Sequence, residues 1–122
     1  MSGATDDQRP GGERTPLVSV IVAVHNGAGH IGACLDSVFA QTFTNFEVIV
    51  VDDGSDDGTG DKVGGFDDPR LRYHRLTENQ GVSSARNQAA KLAAGSLLAI
   101  LDSDDVALPE RLERQVTFMT SH

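Results

Sequence analysis

Hydrophobic and polar positions along the chain alternate between two rhythms. Short apolar, largely β-branched runs occur at VSVIVAV (Val18–Val24), FEVIVVD (Phe46–Asp52), LRYHR (Leu71–Arg75) and SLLAIL (Ser96–Leu101), and between them apolar residues recur at helical spacing. Ile31, Leu35, Val38 and Phe39 make one helical face, Val82, Ala85, Ala89 and Ala93 a second, and Leu108, Leu112, Val116 and Met119 a third. Strands alternating with helices predict βαβ units and a mainly parallel, helix-covered sheet of the α/β class, Rossmann-like in layout. Three of the runs are almost continuously apolar, as strands covered on both faces require, whereas LRYHR is polar enough for a sheet edge. Gly95 is placed for a left-handed C-cap, Pro109 for a first helical turn, and a short irregular helix is expected between Asp57 and Gly64-Gly65.

A length of 122 residues allows one domain with a modest core. Residues 1–15, rich in Gly, Pro, Asp and Arg, read as a disordered leader, with order beginning near Pro16. They contain no apolar core for a signal peptide, and no later run approaches the length of a membrane span. With 18 acidic against 10 basic residues, the formal charge of -8 argues against general affinity for nucleic acid or anionic membranes. A phosphate ligand must then be held by local groups or by a cation. The one cysteine, Cys34, falls in the first helical pattern and reads as a small core residue, which suits a reducing, cytoplasmic location.

In open parallel α/β sheets, ligands bind beyond the carboxyl ends of the strands. The residues there are His25-Asn26-Gly27, Asp52-Asp53-Gly54-Ser55 and Asp102-Ser103-Asp104-Asp105, so five carboxylates are expected on one rim. Acids as close as Asp102, Asp104 and Asp105 repel one another unless something positive is present. Mg²⁺ or Mn²⁺ meets that need with one or two protein carboxylates, the other positions going to phosphate and water. The competing reading has these acids cap the helix beginning near Pro109, for which one Asp would suffice. Asp53 can accept hydrogen bonds from a ribose or a base N–H. Asp53, Ser55, Asp57 and Gly58 also imitate a calcium loop, but Gly64 stands where its closing Glu belongs and no helix precedes it.

Gly27-Ala28-Gly29-His30-Ile31-Gly32 is a G-x-G-x-x-G that opens a helix, with Asp52 twenty residues past Gly32. Taken alone this is the dinucleotide fingerprint. Two polar residues separate the strand from its first glycine, however, and the fingerprint leaves the acidic cluster unexplained. An NAD(P)-binding module using Gly27, Gly29 and Gly32 is therefore a second reading, and a binding-only remnant without metal a third. Glycines that only make a tight turn are the plainer account of the motif. His25 and His30 have no paired base or nucleophile by spacing, and Ser83, Ser84 and Ser103 lack a nucleophile elbow, so serine hydrolysis finds no support. Arg86, in a helix that Gly81 precedes, can reach a diphosphate; a solvated arginine is the equal alternative.

Taken together, PLVSVIVAVHN, LDSVFAQTFTNFEVIVVDDGSDDGT, NQGVSSARNQAAKLAAGSLLAILDSDD and LPERLERQ resemble the family 2 glycosyltransferases of GT-A fold, from Pro16 to the C-terminus and in the family's order. The resemblance implies inverting transfer of a sugar from a nucleotide-diphosphate donor to an acceptor hydroxyl, with Mn²⁺ or Mg²⁺ at the D-x-D. By motif position it implies Ala23, His25 and Asn26 at the edge of the base pocket, Asp53 against the base and Arg86 near the diphosphate. It places Asp102 near the ribose and the metal, Asp104 as metal ligand, and Asp105 nearby as ligand or helix cap. His25 stands where the family often has an aromatic residue; it keeps a flat ring and loses the phenol. The family's domain extends past the equivalent of His122 into an acceptor-binding half that carries the general base. Residues 16–122 are thus expected to be the truncated nucleotide-sugar-binding part of such a domain, binding a nucleotide but transferring little. Donor sugar and acceptor (saccharide, lipid or another hydroxyl) are left open, as is a place at the cytosolic face of a membrane.

Overall fold

The structure, a computed structural model, describes residues 15–120, so all of the expected leader but Thr15 lies outside the described residues. Strands β1 (Val18–Val24), β2 (Phe46–Asp52), β3 (Leu71–Arg75) and β4 (Leu97–Ile100) form one parallel sheet in the order β3-β2-β1-β4. Helices α1 (Ile31–Phe39), α2 (Thr59–Gly64), α3 (Val82–Leu92) and α4 (Arg111–Thr120) follow the strands in turn. The α/β class and the first three strands are as expected; β4 is one residue shorter at each end.

The two central strands are β-branched on both faces, and helices cover both. Val18, Val20, Val22 and Val24 of β1, with Val48 and Val50 of β2, pack against Ile31, Cys34, Leu35 and Val38 of α1 and Leu112 of α4. On the opposite face Ile21, Ile49 and Val51 meet Ala85 and Ala89, whose small side chains let α3 lie close over β1 and β2. The chain steps outward from β1 to β3 with α1 and α2 on one face, then returns across the other face through α3 to β4. Right-handed crossovers require that change of face when the direction reverses. The reversal creates a switch point between β1 and β4, where chains leave the sheet on opposite sides.

Several expectations about coverage are corrected. The run SLLAIL is an edge strand covered on one side: Leu98 and Ile100, opposite Ser19 and Ile21, remain 47% and 51% exposed because α3 does not reach past β1. Val82, Leu108 and Met119 are exposed as well, leaving Ala85 and Ala89, and Leu112 with Val116, to make the contacts. Helix α4 starts at Arg111, two residues after Pro109, because the Arg111 N–H closes a turn on the Leu108 carbonyl at 3.0 Å. Buried Gln41 anchors that start, donating to the Leu108 carbonyl at 2.7 Å and accepting from the Leu112 N–H at 2.9 Å.

Glu47 interrupts the apolar run of β2 and is fully buried. Ser19 Oγ and the Ala94 N–H each donate to its Oε2 at 2.6 Å, and Arg72 donates to Oε1 at 3.0 Å. The same guanidinium donates to the Leu92 carbonyl at 2.8 Å, and Ser19 Oγ accepts the Gly95 N–H at 2.8 Å, so the C-terminal end of α3 is tied to β1 and β2. Gly95 is therefore no left-handed cap. The helix ends in extended backbone at Ala93, and a Cβ on Gly95 would lie 2.8 Å from the Ser19 nitrogen. Burial acts to raise the Glu47 carboxyl, but the hydrogen bonds from Ser19, Ala94 and Arg72 outweigh it and hold the group below the ordinary glutamate value.

Two substitutions test these contacts. Glu47→Gln puts an amide among donors and is expected to lower unfolding stability by about 2–3 kcal/mol in chemical denaturation. A depressed folded pKa stabilises above the ordinary glutamate value of about 4.3 and loses its contribution as pH falls through the lower folded value. The parent's excess stability over Glu47→Gln should therefore be full at neutral pH and shrink below about pH 4. At the opposite end of β2, Gly54 has φ +70° and its added Cβ would lie 2.7 Å from the Asn79 nitrogen, so Gly54→Ala should lower the melting temperature, at a cost of about 2 kcal/mol.

Candidate functional site

The loops after β1 and β2 interlock at the rim. The Asp53 N–H donates to the Val24 carbonyl at 2.7 Å, and its own carbonyl accepts from His25 Nδ1 at 2.7 Å. A carbonyl can only accept, so Nδ1 carries the proton and Nε2 is left as the ring's other polar atom, 3.4 Å from Asn26 Nδ2. Asn26 holds a positive φ of 52°, tolerated by Asn, and its Oδ1 accepts the Asp56 N–H at 2.9 Å. Ala23 lies below this loop on β1, partly buried against the α3 side of the core.

The two neighbouring acids at the end of β2 have separate jobs. Asp52 is fully buried and accepts from the Ser55 N–H at 2.9 Å and the Tyr73 hydroxyl at 2.5 Å. Burial, then the hydrogen bond and charge of Asp52, push the Tyr73 hydroxyl up to about 12. Asp53 accepts the Gln80 and Gly81 N–H groups at 2.6 and 2.9 Å, fixing the approach to α3 through a glycine at φ 102°. Each Asp53 oxygen has further lone pairs for a ligand. Asp52 therefore secures the loop instead of joining an open acidic rim.

The glycine fingerprint fails on its backbone. In a dinucleotide site the amides of this turn and the helix start face the pyrophosphate. Here the Asn26, Gly27 and Ala28 N–H groups donate to Ser55 Oγ at 2.7 Å, Thr59 Oγ1 at 3.0 Å and Asp57 Oδ2 at 3.1 Å. Space around Gly29 and Gly32 is open to a side chain, so neither glycine serves close packing. Ser55, Asp57 and Thr59 were missed as supports; the one local signal was Asp57-x-Thr59 before α2, where Asp57 Oδ1 accepts the Thr59 N–H at 3.1 Å.

Across the switch point, Asp102 to Asp105 form a single turn closed by the Asp105 N–H on the Asp102 carbonyl at 3.0 Å. The turn gathers one carboxylate oxygen each from Asp102, Asp104 and Asp105 within 4.8 Å of one another, all exposed. Three hard oxygen donors gathered this closely can hold a hard metal cation. None of the three caps α4, whose first amides are met by Gln41 and Leu108. The turn adjoins the first loop: the Cys34 thiol donates to the Asp102 carbonyl at 3.7 Å, and a Cβ on Gly27 would stand 3.8 Å from Ser103 Oγ. Burial first, and then the charges of Asp105 and Asp104, push the Cys34 thiol up to about 11, in keeping with an inert core residue. Arg86 reaches from α3 to Asp102 Oδ1 at 2.7 Å. The acidic turn, Arg86 and the His25–Asp53 pair thus share the carboxyl end of the sheet, while the His30 and Ser83 side chains make no hydrogen bond to them among the described residues.

The family sequence model described as Glycosyl transferase family 2 matches residues 19–122. A relative from Escherichia coli, the UDP-Glc:alpha-D-GlcNAc-diphosphoundecaprenol beta-1,3-glucosyltransferase WfgD, is 41% identical over 84% of this chain, which spans 41% of its length. The succinoglycan biosynthesis protein ExoO of Rhizobium meliloti is 40% identical over 88% of the chain, which spans 31% of it. Among solved structures, S. aureus TarS 1-349 in complex with UDP-GlcNAc superposes with a TM-score of 0.82 at 36% identity, covering 86% of this chain and 31% of TarS. A mannosyltransferase of Pyrobaculum calidifontis in complex with GDP-Man and Mn²⁺ gives a TM-score of 0.79 at 32% identity, covering 88% and 33%. The chain therefore spans about a third to two fifths of these proteins. No helix among the described residues is long and apolar enough to cross a membrane. With its motifs, its parallel sheet and its acidic turn accounted for together, the chain belongs to glycosyl transferase family 2.

Proposed function

We propose that this chain is the donor-binding part of a metal-dependent, inverting glycosyltransferase whose donor is a nucleoside-diphosphate sugar. The observation that carries the reading is the meeting of an acidic turn and the Arg86 guanidinium at the β1/β4 switch point. A diphosphate is the ligand that satisfies both, since its oxygens join a carboxylate-held cation and accept from a guanidinium. UDP-GlcNAc in TarS, and GDP-Man with Mn²⁺ in the Pyrobaculum calidifontis mannosyltransferase, support a nucleotide donor and a cation here.

In this reading Ala23, the His25 ring and Asn26 border the base, and Asp53 accepts from it. Arg86 faces the diphosphate. Asp102 lies against the ribose and, with Asp104, toward Mn²⁺ or Mg²⁺, Asp105 completing the carboxylate set. When bound, the cation neutralises charge growing on the departing diphosphate. Inversion also needs a proton acceptor on the attacking hydroxyl. By the family resemblance that base belongs to the acceptor-binding half of the family's domain, and this chain by itself is proposed to bind donor and transfer little. We place its work in the cytoplasm, facing an acceptor hydroxyl such as the lipid-linked saccharide for which the E. coli relative is named.

Thermal unfolding with UDP, GDP or dTDP, each with and without Mn²⁺, tests the assignment. At least one nucleotide should stabilise the chain only with the metal, by about 2.7 kcal/mol at a hundred times its Kd. Asp104→Ala should abolish the response while the ligand-free melting temperature stays unchanged. A full response in that variant would remove Asp104 from the ligands, and stabilisation by NADH without metal would overturn the donor reading.

A further inference from the structure

Arg86 is engaged with a carboxylate of the turn, at 2.7 Å from Asp102 Oδ1, and both side chains are partly open to water at 38% and 56% exposure. An ion pair that exposed is weakly held. The other guanidinium close to the turn, Arg111, donates to the Ile100 carbonyl at 3.3 Å and belongs to the start of α4. Arg86 thus pairs with one of the three carboxylates of the turn, and a metal ion arriving alone must displace it or bind beside its charge. A metal ion arriving with a diphosphate meets no such conflict, because the diphosphate offers the guanidinium a stronger, bidentate acceptor.

We infer that Arg86 is an exchangeable counter-ion: it neutralises Asp102 in the free protein and transfers to the diphosphate when nucleotide and cation bind, so that the two ligands enter as a pair. This rests on the donor-site reading above and adds a sign to it. Arg86 opposes binding of the free cation and favours binding of its nucleotide complex. A residue that only shaped the loop would weaken both.

The experiment compares the full chain with Arg86→Gln and Arg86→Lys, following Mn²⁺ by electron paramagnetic resonance of the free ion and UDP or GDP by calorimetry at fixed Mn²⁺. Arg86→Gln should bind Mn²⁺ alone at least about threefold more tightly and bind the nucleotide with Mn²⁺ about tenfold more weakly. Arg86→Lys, which keeps the charge without the planar fork, should retain the parent's weak Mn²⁺ binding and recover part of the nucleotide affinity. Added salt should shrink the Mn²⁺ difference between parent and Arg86→Gln. Unchanged or weakened Mn²⁺ binding by Arg86→Gln would overturn the inference while the metal reading stood on Asp104→Ala. A parent that bound no Mn²⁺ even with nucleotide would overturn both.

Discussion

Asp53 bonds to two separate segments through three different groups: its N–H to Val24 and its carbonyl to His25 at the end of β1, and its carboxylate to the amides of Gln80 and Gly81. It is nearly inaccessible to water, and a carboxylate so placed is tolerated only when its oxygens are satisfied. Because those partners lie on the loops leaving β1 and β3, the rim keeps its shape only while Asp53 keeps all of them. Asp52, one residue earlier, does the same for the start of the second loop and for Tyr73. Two adjacent acids with the same local sequence signal thus divide between fixing their own loop and fixing the approach to α3.

Much of the architecture was legible in the sequence because it follows from short-range patterning. β-Branched runs separated by helical spacing gave β1, β2 and β3 to the residue, and the polarity of LRYHR put β3 at the edge. Features set by distant partners were not legible. Gly95 reads locally as a cap, yet it is needed for the approach to Ser19, 76 positions away. The apolar run of β4 suggested two covered faces, but coverage depends on how far α3 extends across the sheet. The Gly27-x-Gly29-x-x-Gly32 string matches a dinucleotide turn in one dimension; the side chains of Thr59 and Asp57, which occupy its first two amides, and of Ser55, which takes the amide just before it, come from another loop. Of the candidate site, the acidic turn was readable from position after a strand, while the pairing of Arg86 with Asp102 was not, since nothing in the spacing distinguishes it from a solvated arginine.

Charge is distributed between two poles of the sheet. At the amino end Glu47 is enclosed and fully partnered, and it contributes to folding alone. At the carboxyl end Asp102, Asp104 and Asp105 are open and only partly offset. The overall charge of -8 therefore says little about ligands by itself. What matters is that one group of acids is closed off by donors of the fold and another is presented where the sheet divides.

The two poles meet in α3. Its sheet-facing residues are alanines, which bury little area, yet both ends of the helix are gripped by acids of one strand region: Asp53 holds Gly81 and Glu47 holds Ala94. From Glu47 to Asp53 the extended chain rises roughly 20 Å. The eleven residues of α3 rise roughly 16 Å, and the extended backbone at Ala93 helps to close the remainder. β2 consequently acts as a ruler for α3. One residue more or less in that helix would shift one clasp by about 1.5 Å and turn the residues beyond it by about 100°, so its length is fixed by the strand beneath it while the exposed loops elsewhere are free to vary.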